Sequence, residues 1–422
     1  MSSPRTPLPW PLVALFATGY LAPYLLPTTV GRLDAGLPLT ATQAGATGSA
    51  LLLGSASAGF LLAARVERFG VRTLARAGLA FAVLGYGGAA LTTTVPAVVA
   101  GAVLGGFGSG TVTAVAASGI AAGRNPHRAS TAGLLCVSAL AGALYLTVPH
   151  LGPGHGLPLA AIALTALAMW PVTGRLPARS PAVPAARAER ARLPHPRCGL
   201  LLAAAMPFWS LAQNALWGVS GRIGLTQAGL TEAAVGVVFA AALGAGLLGV
   251  LGAGALGARL GRAVPIGGGT VLIAGCIALS ASATTLPAFA TGEIAWNALY
   301  PVVLSYVIGL AASLDPRGRW AVLVGSASSL GTAAGPLTGS LLSERAGFFG
   351  MGLVLAAGLL AIAVPMTAVA VRTGRRRTTA ADVPVADIPV VEIPVDAPAV
   401  PAERAAYGTA GPRQAAAAPG SR

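Results

Sequence analysis

Long apolar runs, nearly free of Arg, Asp and Glu, recur down this 422-residue chain, each long enough to cross the ~30 Å hydrocarbon core of a bilayer. Backbone amides in hydrocarbon find no water to bond to, so such a run must satisfy its own hydrogen bonds as an α-helix. The runs predict an all-α membrane protein with twelve transmembrane helices. They fall at about 11–30, 43–63, 75–93, 96–120, 130–149, 157–173, 199–220, 233–256, 264–283, 286–312, 320–342 and 347–371. Residues 77–123 carry no charge at all, and we divide them at Pro96, because proline readily starts a helix and rarely continues one. Only 9% of the residues are charged. Soluble domains carry about 25%, so this chain has too little charge to cover a water-facing surface.

All 27 basic residues are Arg, and their placement predicts the orientation. Twenty-one lie before the first run, in alternate loops and just after the last run, whereas the opposite loops hold only Arg32, Arg222 and Arg345. Basic residues collect on the cytoplasmic side. Both termini are therefore expected in the cytoplasm of a multi-pass plasma-membrane protein. The net charge of +15 does not indicate a nucleic-acid partner, because the Arg residues form short clusters between apolar runs rather than one basic face. The first run is read as a span rather than a cleavable leader, since Arg5 alone precedes it and many similar runs follow.

The chain also repeats itself. Leu39-Thr40-Ala-Thr-Gln-Ala-Gly45 opens the second predicted helix, and Leu230-Thr231-Glu-Ala-Ala-Val-Gly236 opens the eighth, 191 positions later. Glu67-Arg68-Phe69-Gly70 and Ala258-Arg259-Leu260-Gly261 follow those helices at the same displacement, and Gly31-Arg32 matches Gly221-Arg222 at 190. Two homologous halves are expected: a six-helix bundle over 1–173, an Arg- and Pro-rich cytoplasmic linker over 174–198 and a second six-helix bundle over 199–372. Beyond them, 373–422 is expected to be a disordered cytoplasmic tail, because its Val/Ile-Pro-Val repeats favour extended polyproline conformations. Internal repeats of this kind build many secondary transporters, with the substrate site between the halves.

The residues after the second and eighth helices resemble the loop signature of the major facilitator superfamily, roughly Gly-x-Leu-Ala-Asp-Arg-x-Gly-Arg-Arg. The second copy keeps Gly254, Arg259, Gly261 and Arg262 but has Ala258 in the acidic place; the first keeps Glu67, Arg68, Gly70 and Arg72 but lacks the leading Gly. The resemblance covers about 10–372. It implies two six-helix bundles related by a pseudo-twofold axis, a cytoplasmic gate formed by these eight residues, and a cavity lined by helices 1, 4, 7 and 10. Two signatures depart from the family's proton-driven exporters. Helix 4 has no Arg, and the antiporter-type motif stands in helix 11, as Gly331, Gly335, Pro336 and Gly339, rather than in helix 5. Glycines four apart make flat faces for close helix packing.

Within that frame Glu293 is the one acid well inside a predicted span. A carboxyl in a membrane usually faces a cavity or a partner and is suited to take up and release a proton. Asn297 and Tyr300 lie one and two turns along, with Trp296 beside them. Gln213, Asn214 and Trp217 on helix 7, and Tyr20 and Tyr24 on helix 1, complete the candidate substrate and proton site. Arg32 and Arg222 could attract anions or cap helix ends. Aromatic walls with a few hydrogen-bonding groups suit an aromatic or amphipathic small molecule.

Enzymatic readings find little support. The four His residues fall in predicted loops without metal-ligand spacing, and the glycine clusters lack a P-loop Lys, so neither metal nor cofactor is expected. The reading is a monomeric, proton-coupled efflux carrier for a small organic molecule. The alternatives are a proton-coupled importer of a sugar, amino acid or organic acid, and a non-transporting membrane sensor or assembly factor on the same scaffold.

Overall fold

A computed structural model describes residues 8–62, 69–176, 193–256, 261–315 and 317–375. Glu67, Arg68 and Arg259, most of the linker and the tail from 376 onward lie outside the described residues. Helix α1 runs Trp10–Tyr24 and continues after a 45° bend as Leu26–Gly36. It is followed by α2 (Ala41–Leu62), α3 (Val71–Leu91), α4 (Val95–Ala121), α5 (Pro126–Thr147) and α6 (Leu157–Ala168, extended by a 3-10 turn Trp170–Arg175). The second half comprises α7 (Pro196–Arg222), α8 (Glu232–Leu256), α9 (Ala263–Ala281) and α10 (Leu286–Leu314). A final run, Arg319–Arg375, is broken at Gly347 into α11 (319–346) and α12 (348–375). Gly347 adopts φ 69°, a left-handed conformation that a side chain disfavours, and this single residue turns the chain back on itself.

The repeated sequences occupy equivalent places. Thr40 Oγ1 accepts the amide of Gln43 at the start of α2 (3.2 Å), and Thr231 Oγ1 accepts that of Ala234 at the start of α8 (3.2 Å). In the first copy Gln43 Oε1 returns the bond to the Thr40 amide at 2.9 Å, completing a reciprocal cap. Gly70 and Gly261, 191 positions apart, both have positive φ, 83° and 62°, where the chain re-enters α3 and α9. The first helix extends to Gly36 instead of ending near 30, because Arg32 and Asp34, charges that look like loop residues, are each neutralised by the opposite half.

Small residues set the packing inside each half. On α4, Gly106 and Gly110 lie against the carbonyls of Leu51 and Ser55 on α2, while Gly105 and Gly108 face Tyr86 and Ala82 on α3. On α11, Gly331, Gly335 and Gly339 lie against Pro207, Asn214 and Ala215 of α7, so this motif is a helix-packing face within the second half. A Cβ on Gly335 would stand 2.5 Å from that of Asn214. Gly335→Leu is therefore expected to destabilise the fold by about 1–3 kcal/mol through overpacking. Thermal unfolding in detergent checks this, with Gly268→Leu, on an open face, leaving the midpoint unchanged.

Candidate functional site

The halves meet at the end of the bundle remote from the termini, here called the far end. Proline shapes the seam. Pro27 has no amide hydrogen to offer the carbonyl of Pro23 one turn earlier, and α1 bends there. The freed Pro23 carbonyl accepts the indole N–H of Trp217 from the other half at 3.1 Å, and the neighbouring Tyr24 carbonyl accepts the Tyr145 hydroxyl at 2.5 Å. Pro336 on α11 packs against Gly48 and Gly218, and the amide of Leu337 donates to Ser49 Oγ on α2 at 2.9 Å.

Charge seals the same seam. Arg32 is 4% exposed and donates to Glu232 through Nε at 3.1 Å and Nη2 at 2.8 Å, with further bonds to the Gly154 and Val148 carbonyls. Arg222 Nε pairs with Asp34 Oδ2 at 3.0 Å. The two repeat-related arginines thus each hold a carboxylate of the opposite half. Neither is free to attract a solute. Glu344, at the end of α11, accepts the Thr42 amide and hydroxyl at the start of α2, a third crossing where the helix terminus favours an anion.

Beneath this seal lies a cavity of about 240 Å³ between the halves. Its far-end floor is aromatic. Trp217 and Trp296 have ring centroids 5.6 Å apart, Trp296 and Tyr300 6.1 Å, and Tyr300 stacks on Trp209 at 5.3 Å. From that floor the lining extends toward the Arg-rich end, to Leu304, Ile308 and Gly325. Helices α1, α4, α7 and α10 contribute as the resemblance implies, but α2, α5, α8 and α11 line the cavity too.

Of the candidate residues, Tyr20, Tyr24, Asn214, Trp217, Trp296, Asn297 and Tyr300 come together on the cavity wall. Gln213 does not; it is fully buried behind the wall, where its Oε1 accepts the Trp296 indole N–H. Glu293 lies off the cavity as well, 0% exposed inside the second half. Its Oε1 is bonded by Ser220 of α7 at 2.8 Å and Ser280 of α9 at 3.0 Å, while Oε2 has no partner among the described residues. Asn214 accordingly does not face Glu293; its Nδ2 donates to the Ser210 carbonyl at 2.9 Å and to Thr332 at 3.3 Å. Sequence reasoning missed Thr332, Ser328 and Ser138 on the wall, since isolated hydroxyls in apolar helices carry no pattern.

At the Arg-rich end, Arg72 donates twice to the Leu176 carbonyl beyond α6 (3.1 and 2.6 Å), and Arg262 donates to Ser313 near the end of α10 at 2.6 Å. Both bonds stay within one half.

No family model matches the chain, and no curated protein matches it in sequence. Solved structures do match in backbone. A mutant of the nucleoside transporter NupG aligns with a TM-score of 0.67 at 13% identity, covering 85% of this chain and 99% of that one. The POT family transporter PepTSo gives 0.66 at 13%, over 88% and 99%. The E. coli xylose transporter XylE in an inward open conformation gives 0.63 at 14%, over 84% and 94%. The chain has the major facilitator fold. At these identities the likeness lies in the path of the helices and carries no side-chain correspondence.

Proposed function

We propose that the protein is a secondary transporter that moves a small organic molecule across the plasma membrane by alternating access, its Arg-rich end in the cytoplasm. The observation that carries this reading is the cavity between the halves, shut at one end by polar contacts that cross the seam, among them Arg32–Glu232, Arg222–Asp34 and Trp217–Pro23. Such contacts can be exchanged for water when the halves rock, whereas a continuous apolar core cannot be. The proteins of like fold include a nucleoside transporter, an organic anion transporter and a D-xylose–proton symporter.

Glu293 is the coupling residue in this reading. Its Ser220 partner has one hydrogen and also lies 3.0 Å from the Leu216 carbonyl. If that hydrogen goes to Leu216, Ser220 must accept from Glu293, which a protonated carboxyl satisfies. Oε2 has no partner among the described residues, and leaving it bare in the core costs far more for a charged carboxylate than for a neutral carboxyl. Export is the direction this reading takes. The deciding measurement is compound uptake by everted vesicles and by reconstituted proteoliposomes, with and without a pH gradient. Gradient-driven uptake into everted vesicles is expected; uptake only into right-side-out vesicles would make the carrier an importer. Flux equal to protein-free liposomes for every compound would remove the transport reading.

A further inference from the structure

Among the described residues, the cavity wall holds no Asp, Glu, Arg, Lys or His. The far-end arginines are consumed by Glu232 and Asp34, and Glu293 is enclosed away from the wall. An ion entering this space would shed its water and meet no counter-charge, a transfer that low-dielectric surroundings make prohibitive. The wall is nevertheless polar at chosen points. Asn214 Nδ2 donates to the Ser210 carbonyl and Asn297 Nδ2 donates to the Glu293 carbonyl at 3.0 Å. Because both of those partners are carbonyls, which only accept, the amide nitrogens are fixed on the helix side. The two amide oxygens are left without a protein partner among the described residues and can accept from a ligand. They stand on α7 and α10 of one half, beside the Trp217, Trp296 and Tyr300 rings, and Tyr20 and Tyr24 face them from the other half.

We infer that the cavity selects an uncharged molecule with a flat apolar face and N–H or O–H donors at its edge. The rings take the face, and the Asn214 and Asn297 side-chain oxygens read the donors. The inference rests on the transporter reading of the same cavity and names its substrate class.

The test uses the purified full-length protein and a library of small organic compounds in neutral, anionic and cationic thirds, read by thermal stabilisation. Each stabilising compound is then compared with isosteres that carry a carboxylate or a quaternary ammonium. Neutral compounds are expected to stabilise, their charged isosteres to bind at least tenfold more weakly, and Asn214→Ala or Asn297→Ala each to weaken the neutral compounds about tenfold without moving the unliganded midpoint. Asn214→Asp should shift the preference toward cationic isosteres. Charged compounds that bind as well as neutral ones, neutral binders indifferent to both Asn variants, or a library with no stabilising member would each overturn the inference. Uptake by proteoliposomes separates the two readings. A charged compound that is carried across defeats neutrality alone, whereas a neutral binder that is never moved defeats transport alone.

Discussion

Glu232→Gln is expected to open the far end. The substitution leaves Arg32, almost wholly buried, with its two carbonyl bonds and no counter-charge. Breaking a fully buried pair costs about 3–5 kcal/mol. The Glu232 side chain is 36% exposed, so solvent reduces this to about 1–3 kcal/mol. Since the pair exists only while the seam is shut, the loss falls on the closed state, and the ratio of open to closed forms should rise roughly 5–150-fold. Ser340 reports it. It is fully buried against Gly45 across the seam, so a cysteine placed there should react with a membrane-impermeant maleimide much faster in Glu232→Gln than in the parent. Removing both partners, as Arg32→Leu with Glu232→Leu, should bring labelling back toward the parental rate, because no uncompensated charge then remains. Equal labelling in parent and single variant would mean that the salt bridge does not hold the seam.

Glu293→Gln is expected to abolish gradient-driven accumulation, at least tenfold, while leaving exchange of substrate across the membrane intact. Gln matches Glu in shape and can keep the Ser220 and Ser280 bonds, so the fold and the cavity should persist with an unchanged melting point. What it cannot do is gain or lose a proton. Transport by the parent should vary with pH, whereas transport by the variant should be flat. Counterflow at equal pH on both sides isolates carriage from coupling, and a variant whose counterflow and pH dependence both match the parent would exclude Glu293 as the coupling residue. Ser220→Ala and Ser280→Ala should shift the pH profile without flattening it, since each removes one partner from a carboxyl that still titrates.

The candidate residues show where the chain read along its length stops being informative. Spacing places Glu293, Asn297 and Tyr300 on one helix face, and helical geometry supports that. Depth separates them. Glu293 lies one turn nearer the far end than Asn297, beyond the Trp217–Trp296 floor, where Ser220 of α7 and Ser280 of α9 close around it. Periodicity reports the direction of a side chain and says nothing of which neighbouring helices crowd in at that level. Arg32 and Asp34 look like loop charges for a related reason. The acid that neutralises Arg32 stands 200 positions away, and no local pattern announces it.

Span number, helix-breaking points and the doubled architecture follow from properties the chain carries locally or by comparison with itself. A run long and apolar enough must be helical in lipid, and a displacement of 191 survives whatever the packing. Which charges are neutralised and which end of the bundle is shut depend on residues from opposite halves meeting at one depth. Those pairings arise only when the two halves close on each other, so the tertiary structure alone decided them.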